Sequence, residues 1–223
     1  LLVWASVPVL PDSAPLIEFN LMYLFWFASS TLHVYFLAFA AWSGTSRYSF
    51  TGSVRTIAQM LSYDVVLALS LAPAILLSGS TNPIEVVNYQ ANSTWLLFQA
   101  PISLALFAIV SIAETNRPPF DLPEAESELV AGSLTEYAST AFVFLFIAEY
   151  SHILLSCHLL VLTFLGGWHL PFFDLFLYLK QFGVPSFFIW TAAFSVYQTK
   201  LLLVMGLFFQ TRTALPRYRY DQL

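Results

Sequence analysis

The sequence predicts an all-α fold, a polytopic transmembrane helix bundle of about five full spans plus the end of a sixth. Three observations carry this. Of 223 residues, 58% are hydrophobic, 17% aromatic and only 9% charged, where a soluble domain carries about 25% charged residues. Several apolar runs approach the roughly 20 residues that a helix needs to cross a bilayer. The arginines fall in alternate connections, a pattern that a wrong span count would scramble. The apolar–polar alternation of a lipid-embedded barrel is absent.

The elements follow in order. Leu1–Leu10 is apolar but short, and reads as the tail of another span, so the chain's start is not expected to be native. Full spans are expected at about 16–40, 60–79, 94–113, 137–165 and 183–209. The stretch WHLPFFDLFLYL, 168–179, is expected at the membrane interface, where Trp168 and Tyr178 suit the headgroup level. The connections 41–59 and 114–136 and the tail 210–223 then share one side. That side holds Arg47, Arg55, Arg117, Arg212, Arg217 and Arg219, while the other has only Lys180 and Lys200 lies inside the last span. The arginine-bearing side is therefore the cytoplasm or matrix. No internal repeat or low-complexity linker divides the chain, so residues 1–223 form one integral membrane domain.

Composition also excludes. The net charge of −5 comes largely from one region, and no basic surface suits nucleic acid. Cys157 is the single cysteine, so no intrachain disulfide, thiolate zinc site or iron–sulfur cluster is expected. His33, His152, His158 and His169 form no HExxH pattern, and no metal site is expected. His33 reads as nearer the arginine-bearing face than His152 or His158, a poor match in depth for a haem. There is no phosphate-binding glycine pattern. No cleavable signal peptide is evident.

One polar stretch stands out. AETNRPPFDLPEAESELVAG, Ala113–Gly132, carries five acids and one arginine between two apolar spans. Pro118 and Pro119 end the preceding helix. Asp121 and Glu124 have capping-box spacing for a short new helix, with Pro123 in its first turn and Gly132 as its stop. On it Asp121, Glu124 and Glu128 share a stripe, and Glu126 faces away. Leu122, Leu129 and Val130 give the segment something to bury. A buried stripe of carboxylates cannot be fully ionised, so its protonation is coupled. The alternative is a solvated acidic loop partly neutralised by Arg117.

Other ionisable groups lie in or near the spans: Asp64, Glu114, Glu136, Glu149 and Lys200. Such residues are costly in a membrane and point to function. Together they read as a line of titratable groups from the acidic loop toward mid-membrane. The alternatives are an interhelical Glu149–Lys200 ion pair and an Asp64 that merely sits at a helix start. Phe142, Phe146 and Glu149 share a helix face, which suits either an apolar passage or ordinary packing.

ETNRPPFDLPEAESELVAG resembles a signature of the quinone-chamber membrane subunit of NADH:quinone oxidoreductase, respiratory complex I. The resemblance extends to GSVRTIAQMLSYDVVLAL (52–69), EYASTAFVFLFIAEY (136–150) and RTALPRYRYDQL (212–223). It covers essentially the whole chain and is weakest at 166–180.

The resemblance implies a subunit of eight transmembrane helices at the junction of the peripheral and membrane arms. Ubiquinone is the substrate, and NADH, FMN and iron–sulfur clusters belong to partner subunits. Electron transfer to quinone drives proton translocation by antiporter-like membrane subunits, and an acidic chain links the two. By position, Asp64, Glu114, Asp121, Glu124, Glu126, Glu128, Glu136, Glu149 and Lys200 match that relay. Arg117, Phe120, Asp121, Phe142 and Phe146 match the quinone passage. Arg55, Arg212, Arg217, Arg219 and Asp221 match the contact with the peripheral arm. The mitochondrial inner membrane is the implied location, with a bacterial plasma membrane as alternative. The aligned region lacks the family's first and last spans, so a separate chain carrying the first spans is an expected partner, beside membrane lipid. Asp64 stands where the family usually has glutamate. The rival readings are a membrane anchor of a related hydrogenase-type complex and a standalone ion channel or transporter.

Overall fold

A computed structural model describes residues 2–9, 15, 17, 19–43, 47–120, 137, 139–170, 185–216 and 218. The described residues form a short 3-10 helix, Leu2–Ser6, and seven α-helices. These are α1 (Met22–Ser43), α2 (Arg47–Ser78), α3 (Pro83–Asn92), α4 (Leu96–Gln99), α5 (Pro101–Glu114), α6 (Ser139–Phe164) and α7 (Ser186–Ala214). Four of them, within α1, α2, α6 and α7, are long and apolar enough to cross a membrane.

Three differences from the expected spans have simple causes. Helix α2 begins at Arg47, well before residue 60. Its first half is polar in composition but helical in habit. Ser49, Gly52, Ser53, Thr56 and Gln59 form a buried stripe of small or amide side chains. Ser53 and Thr56 donate back to the carbonyls of Phe50 and Gly52, at 2.7 and 2.9 Å. Hydroxyls satisfied inside the helix can be buried although they lower the hydropathy. The third expected span is broken. Ala100, at φ −135° and ψ 61°, ends α4, and Pro101 starts α5. Proline has no N–H to continue a helix but suits a first turn.

The third difference is α3, which a reading by apolar runs passes over. Asn82 Oδ1 accepts the Ile84 N–H at 3.1 Å, Pro83 occupies the first turn and Glu85 complements the N-terminal dipole. Gln90 ties this helix to its neighbours. Its Nε2 donates to the Leu162 and Thr163 carbonyls, at 3.2 and 3.0 Å, and its Oε1 accepts the Leu96 N–H. The expected interfacial segment lies mostly outside the described residues, but Trp168 is buried rather than offered to headgroups.

Helix α2 packs between α1 and α5, and α6 packs on α5 and α7. Tyr23, Trp26, Leu71, Phe107, Leu162 and Tyr197 anchor the core. Outward faces are strongly apolar, with Leu76, Ile102 and Phe144 more than two-thirds exposed. Helices in lipid gain nothing by hiding such faces from it.

Contacts gather the arginine-bearing ends. Tyr137 Oη lies 2.7 Å from Ser43 Oγ, joining the end of α1 to the start of α6. Gln59 Nε2 donates to the carbonyls of Ala113 and Phe120, at 2.9 Å each, fixing α2 to the chain beyond α5. The Tyr218 N–H donates to the Pro119 carbonyl at 3.0 Å, bringing the segment after α7 to the same end.

Candidate functional site

Asp64 on α2, Glu114 at the end of α5 and His152 in α6 meet inside the bundle. Asp64 is 9% exposed and Glu114 4%. His152 Nε2 lies 3.3 Å from Glu114 Oε1. Asp64 faces Glu114, His152 and Ser30. Both Asp64 carboxylate oxygens are buried without a hydrogen-bond partner among the described residues. A carboxylate in that position is stable only if protonated, hydrated or balanced by a nearby cation.

One turn before His152, Glu149 Oε2 accepts from Arg117 Nη2 at 2.6 Å. The guanidinium lies 4.9 Å from the Tyr150 ring centroid and 5.7 Å from that of Phe146. Phe146 in turn packs on Phe142, with centroids 4.6 Å apart. Arg117 is only 5% exposed, and its Nε–H has no acceptor among the described residues. Phe120 lies between Tyr63 and Tyr218, with centroids 6.2 and 5.6 Å away. The order along the bundle is thus a buried acid pair with a histidine, an ion pair, then an aromatic flank.

The alternative reading of an interhelical Glu149–Lys200 ion pair is not what the structure shows: Glu149 meets Arg117 instead. Lys200 lies at the opposite end of α6, where Nζ donates to the carbonyls of Leu165 (2.7 Å), Gly167 (2.8 Å) and His169. The Trp95 ring closes this crown, its centroid 4.2 Å from Nζ. At 1.5 Å per residue, Leu165 and Glu149 are about 24 Å apart along the helix direction. Lys200 is therefore far from the acid pair. The crown depends on two glycines at positive φ, Gly166 at +68° and Gly167 at +53°. A Cβ at Gly166 would come within 2.6 Å of Trp95 Nε1, so only glycine fits.

The depth assigned to His33 is also corrected. Its ring stacks on His152, centroids 5.4 Å apart and planes 18° apart, so the two are level. The expected depth counts His33 from a span ending at 40, whereas α1 runs to Ser43 and α6 starts only at Ser139. The sequence alone assigns neither histidine a function. Helical register offers a signal, because His152 follows Glu149 by one turn and His33 follows Ser30 by one turn.

Arg55 on α2 and Arg212 in the last turn of α7 are half-buried. Asp121, Glu124, Glu126, Glu128, Glu136, Arg217, Arg219 and Asp221 lie outside the described residues, as does the expected short helix of the acidic loop. Among the described residues no group of three or more metal-ligating side chains is assembled.

A helical bundle with membrane-length apolar helices and ionisable groups gathered in its interior defines a polytopic integral membrane protein. The chain belongs to the NADH dehydrogenase family, whose model matches residues 1–223. It is 44% identical over 223 residues to NADH-ubiquinone oxidoreductase chain 1 of Triticum aestivum, covering 100% of this chain and 65% of the relative. The chain 1 of Mycosarcoma maydis is 41% identical over 223 residues, covering 100% and 64% respectively. A bacterial relative, an NADH-quinone oxidoreductase subunit of Cereibacter sphaeroides, is 41% identical over 226 residues, covering 100% of this chain and 62% of that protein. The chain thus spans less than two thirds of the length of these relatives. The family resemblance read from the signature stretches is borne out along the whole chain.

Proposed function

We propose that this chain forms part of the ubiquinone-binding chamber of an NADH:ubiquinone oxidoreductase and carries the acidic relay that couples quinone reduction to proton translocation. The observation that carries the proposal is the buried Asp64–Glu114–His152 cluster, continued through Glu149 and Arg117 to the aromatic flank of Phe146 and Phe142. Reduction of a quinone to its quinol consumes a proton for every electron, so the protein around it must supply or redistribute protons. Side chains that change protonation in concert within a low-dielectric interior can do this.

The residues have distinct tasks. Phe142 and Phe146 offer ring faces suited to a quinone ring, and the unpaired Arg117 Nε–H offers a donor. Glu149 is held by Arg117 and transmits a change there toward His152, one turn on. Asp64 and Glu114 hold the proton. Asp121, Glu124, Glu126, Glu128 and Glu136 would lead from the passage to this pair, and Arg55, Arg212, Arg217, Arg219 and Asp221 would meet the peripheral arm. NADH, FMN and the iron–sulfur clusters stay with partner subunits, and antiporter-like membrane subunits receive the signal. The mitochondrial inner membrane is the proposed location, with the bacterial plasma membrane as the alternative.

The test uses the assembled complex carrying Asp64→Asn with Glu114→Gln. NADH oxidation by ferricyanide, which bypasses the quinone site, is expected to stay at the wild-type level. Quinone reduction and the accompanying proton uptake are expected to fall at least about tenfold, the lower range for loss of a positioned proton-transfer group. Wild-type quinone reduction with wild-type proton uptake would end the relay reading.

A further inference from the structure

The acidic relay leaves His33 without a task. Its ring lies flat against His152, and His152 is in turn 3.3 Å from Glu114. The groups facing this pair come from every helix packed around it: Tyr23 and Ser30 from α1, Asp64 from α2, Glu114 from α5 and, one turn away on α6, Glu149 with its partner Arg117. Beside Glu114 and His152 lies a cavity of about 20 Å³ whose polar lining includes Tyr23, Ser30, Glu114, His152 and Ser156. That is room for about one water molecule, and the lining supplies the polar partners that a buried water needs.

The charges constrain what these groups do. Two carboxylates this close in an apolar bundle cannot both ionise without a compensating cation. Arg117 is taken by Glu149. Among the described residues, the cation-forming groups that face the two carboxylates are His152 and, stacked behind it, His33. Two protonated imidazoles stacked at this distance would repel, so the pair takes up at most one added proton. His33 is half-buried on α1, where its neighbour Leu32 is 54% exposed. The pair therefore spans from the sealed acid site to the flank of the bundle.

We infer that the stacked His33–His152 pair is a second proton-holding unit of the site, exchanging one proton with Glu114. In the first step the Glu114 O–H bond breaks as an N–H bond forms at His152 Nε2, leaving a carboxylate beside an imidazolium with no change in total charge. Rotation of the His152 ring then hands a proton to His33 while His152 returns to neutral. This deepens the relay reading and rests on it.

The experiment compares three variants of the assembled complex in proteoliposomes: His152→Gln, His33→Gln and the Asp64→Asn/Glu114→Gln pair. Quinone reduction and proton uptake are followed from about pH 5 to about pH 8, where histidine changes charge. Both histidine variants are expected to lose the same limb of the wild-type pH profile, with His152→Gln slowing proton uptake at least about tenfold. Wild-type profiles in both histidine variants, with the acid variant inactive, would overturn the inference and leave the relay standing. Wild-type behaviour in all three would overturn both. Should His152→Gln prevent assembly, His33→Gln decides alone. Its position is half-buried at the flank of the bundle, so a preserved profile there overturns the inference and a lost limb supports it.

Discussion

Arg117→Ala is expected to have the largest effect of any single change in the described part of the chain. Arg117 is 6% exposed at its side chain and Glu149 21%, and they meet at 2.6 Å. Breaking a buried ion pair by removing one member costs about 3–5 kcal/mol. The residual exposure of Glu149 places this case at the lower end of that range. Loss of the stacked guanidinium from Tyr150 and Phe146 adds about 0.5–2 kcal/mol. Arg117→Lys should be intermediate, since an ammonium keeps the charge but not the planar fork. Native-gel quantification of assembled complex, with its thermal loss in detergent, measures this. The double change Arg117→Met with Glu149→Leu should recover much of the assembly, because it removes both charges. It should not recover coupled quinone reduction. Recovery of both would reduce the pair to a structural tie.

Lys200→Met is the second. Three carbonyls, of Leu165, Gly167 and His169, converge on one ammonium. Each buried acceptor left without a donor costs about 1–3 kcal/mol. Water reaching a half-buried site will satisfy part of this, so a loss of about 2–4 kcal/mol is expected in all. The turn cannot relax easily, since Gly166 is wedged against Trp95. The expected result is poor assembly at raised temperature, with a normal ratio of protons translocated per electron in whatever complex survives. A changed ratio in stable complex would return Lys200 to the relay, the role that its place within an apolar span suggests.

The bundle is legible in the sequence because apolar run length and arginine placement report directly on a bilayer environment. The elements that escape such a reading are those whose signals are local. Asn82-Pro83 begins a helix too short to register as an apolar run, and Pro101 interrupts one whose hydropathy never falls. Asp64, Glu114 and Glu149 are recognisable as costly ionisable residues in apolar surroundings. Their partners are not, because pairing depends on the relative offset of helices. That offset sets Lys200 against the far end of α6 and leaves Glu149 to an arginine only 32 residues away in sequence. The histidines escape for the same reason, since a few residues of error at a helix end changes apparent depth by a full turn.

Redox-induced infrared difference spectroscopy of the assembled complex tests most directly whether the interior acids change protonation with the state of the quinone. Reduction of the bound quinone is expected to shift or bleach a carbonyl-stretching band of a protonated carboxylic acid, and that band should vanish in the double substitution Asp64→Asn with Glu114→Gln. A spectrum with no such band, or one unchanged by the substitution, would contradict a proton held at Asp64 and Glu114.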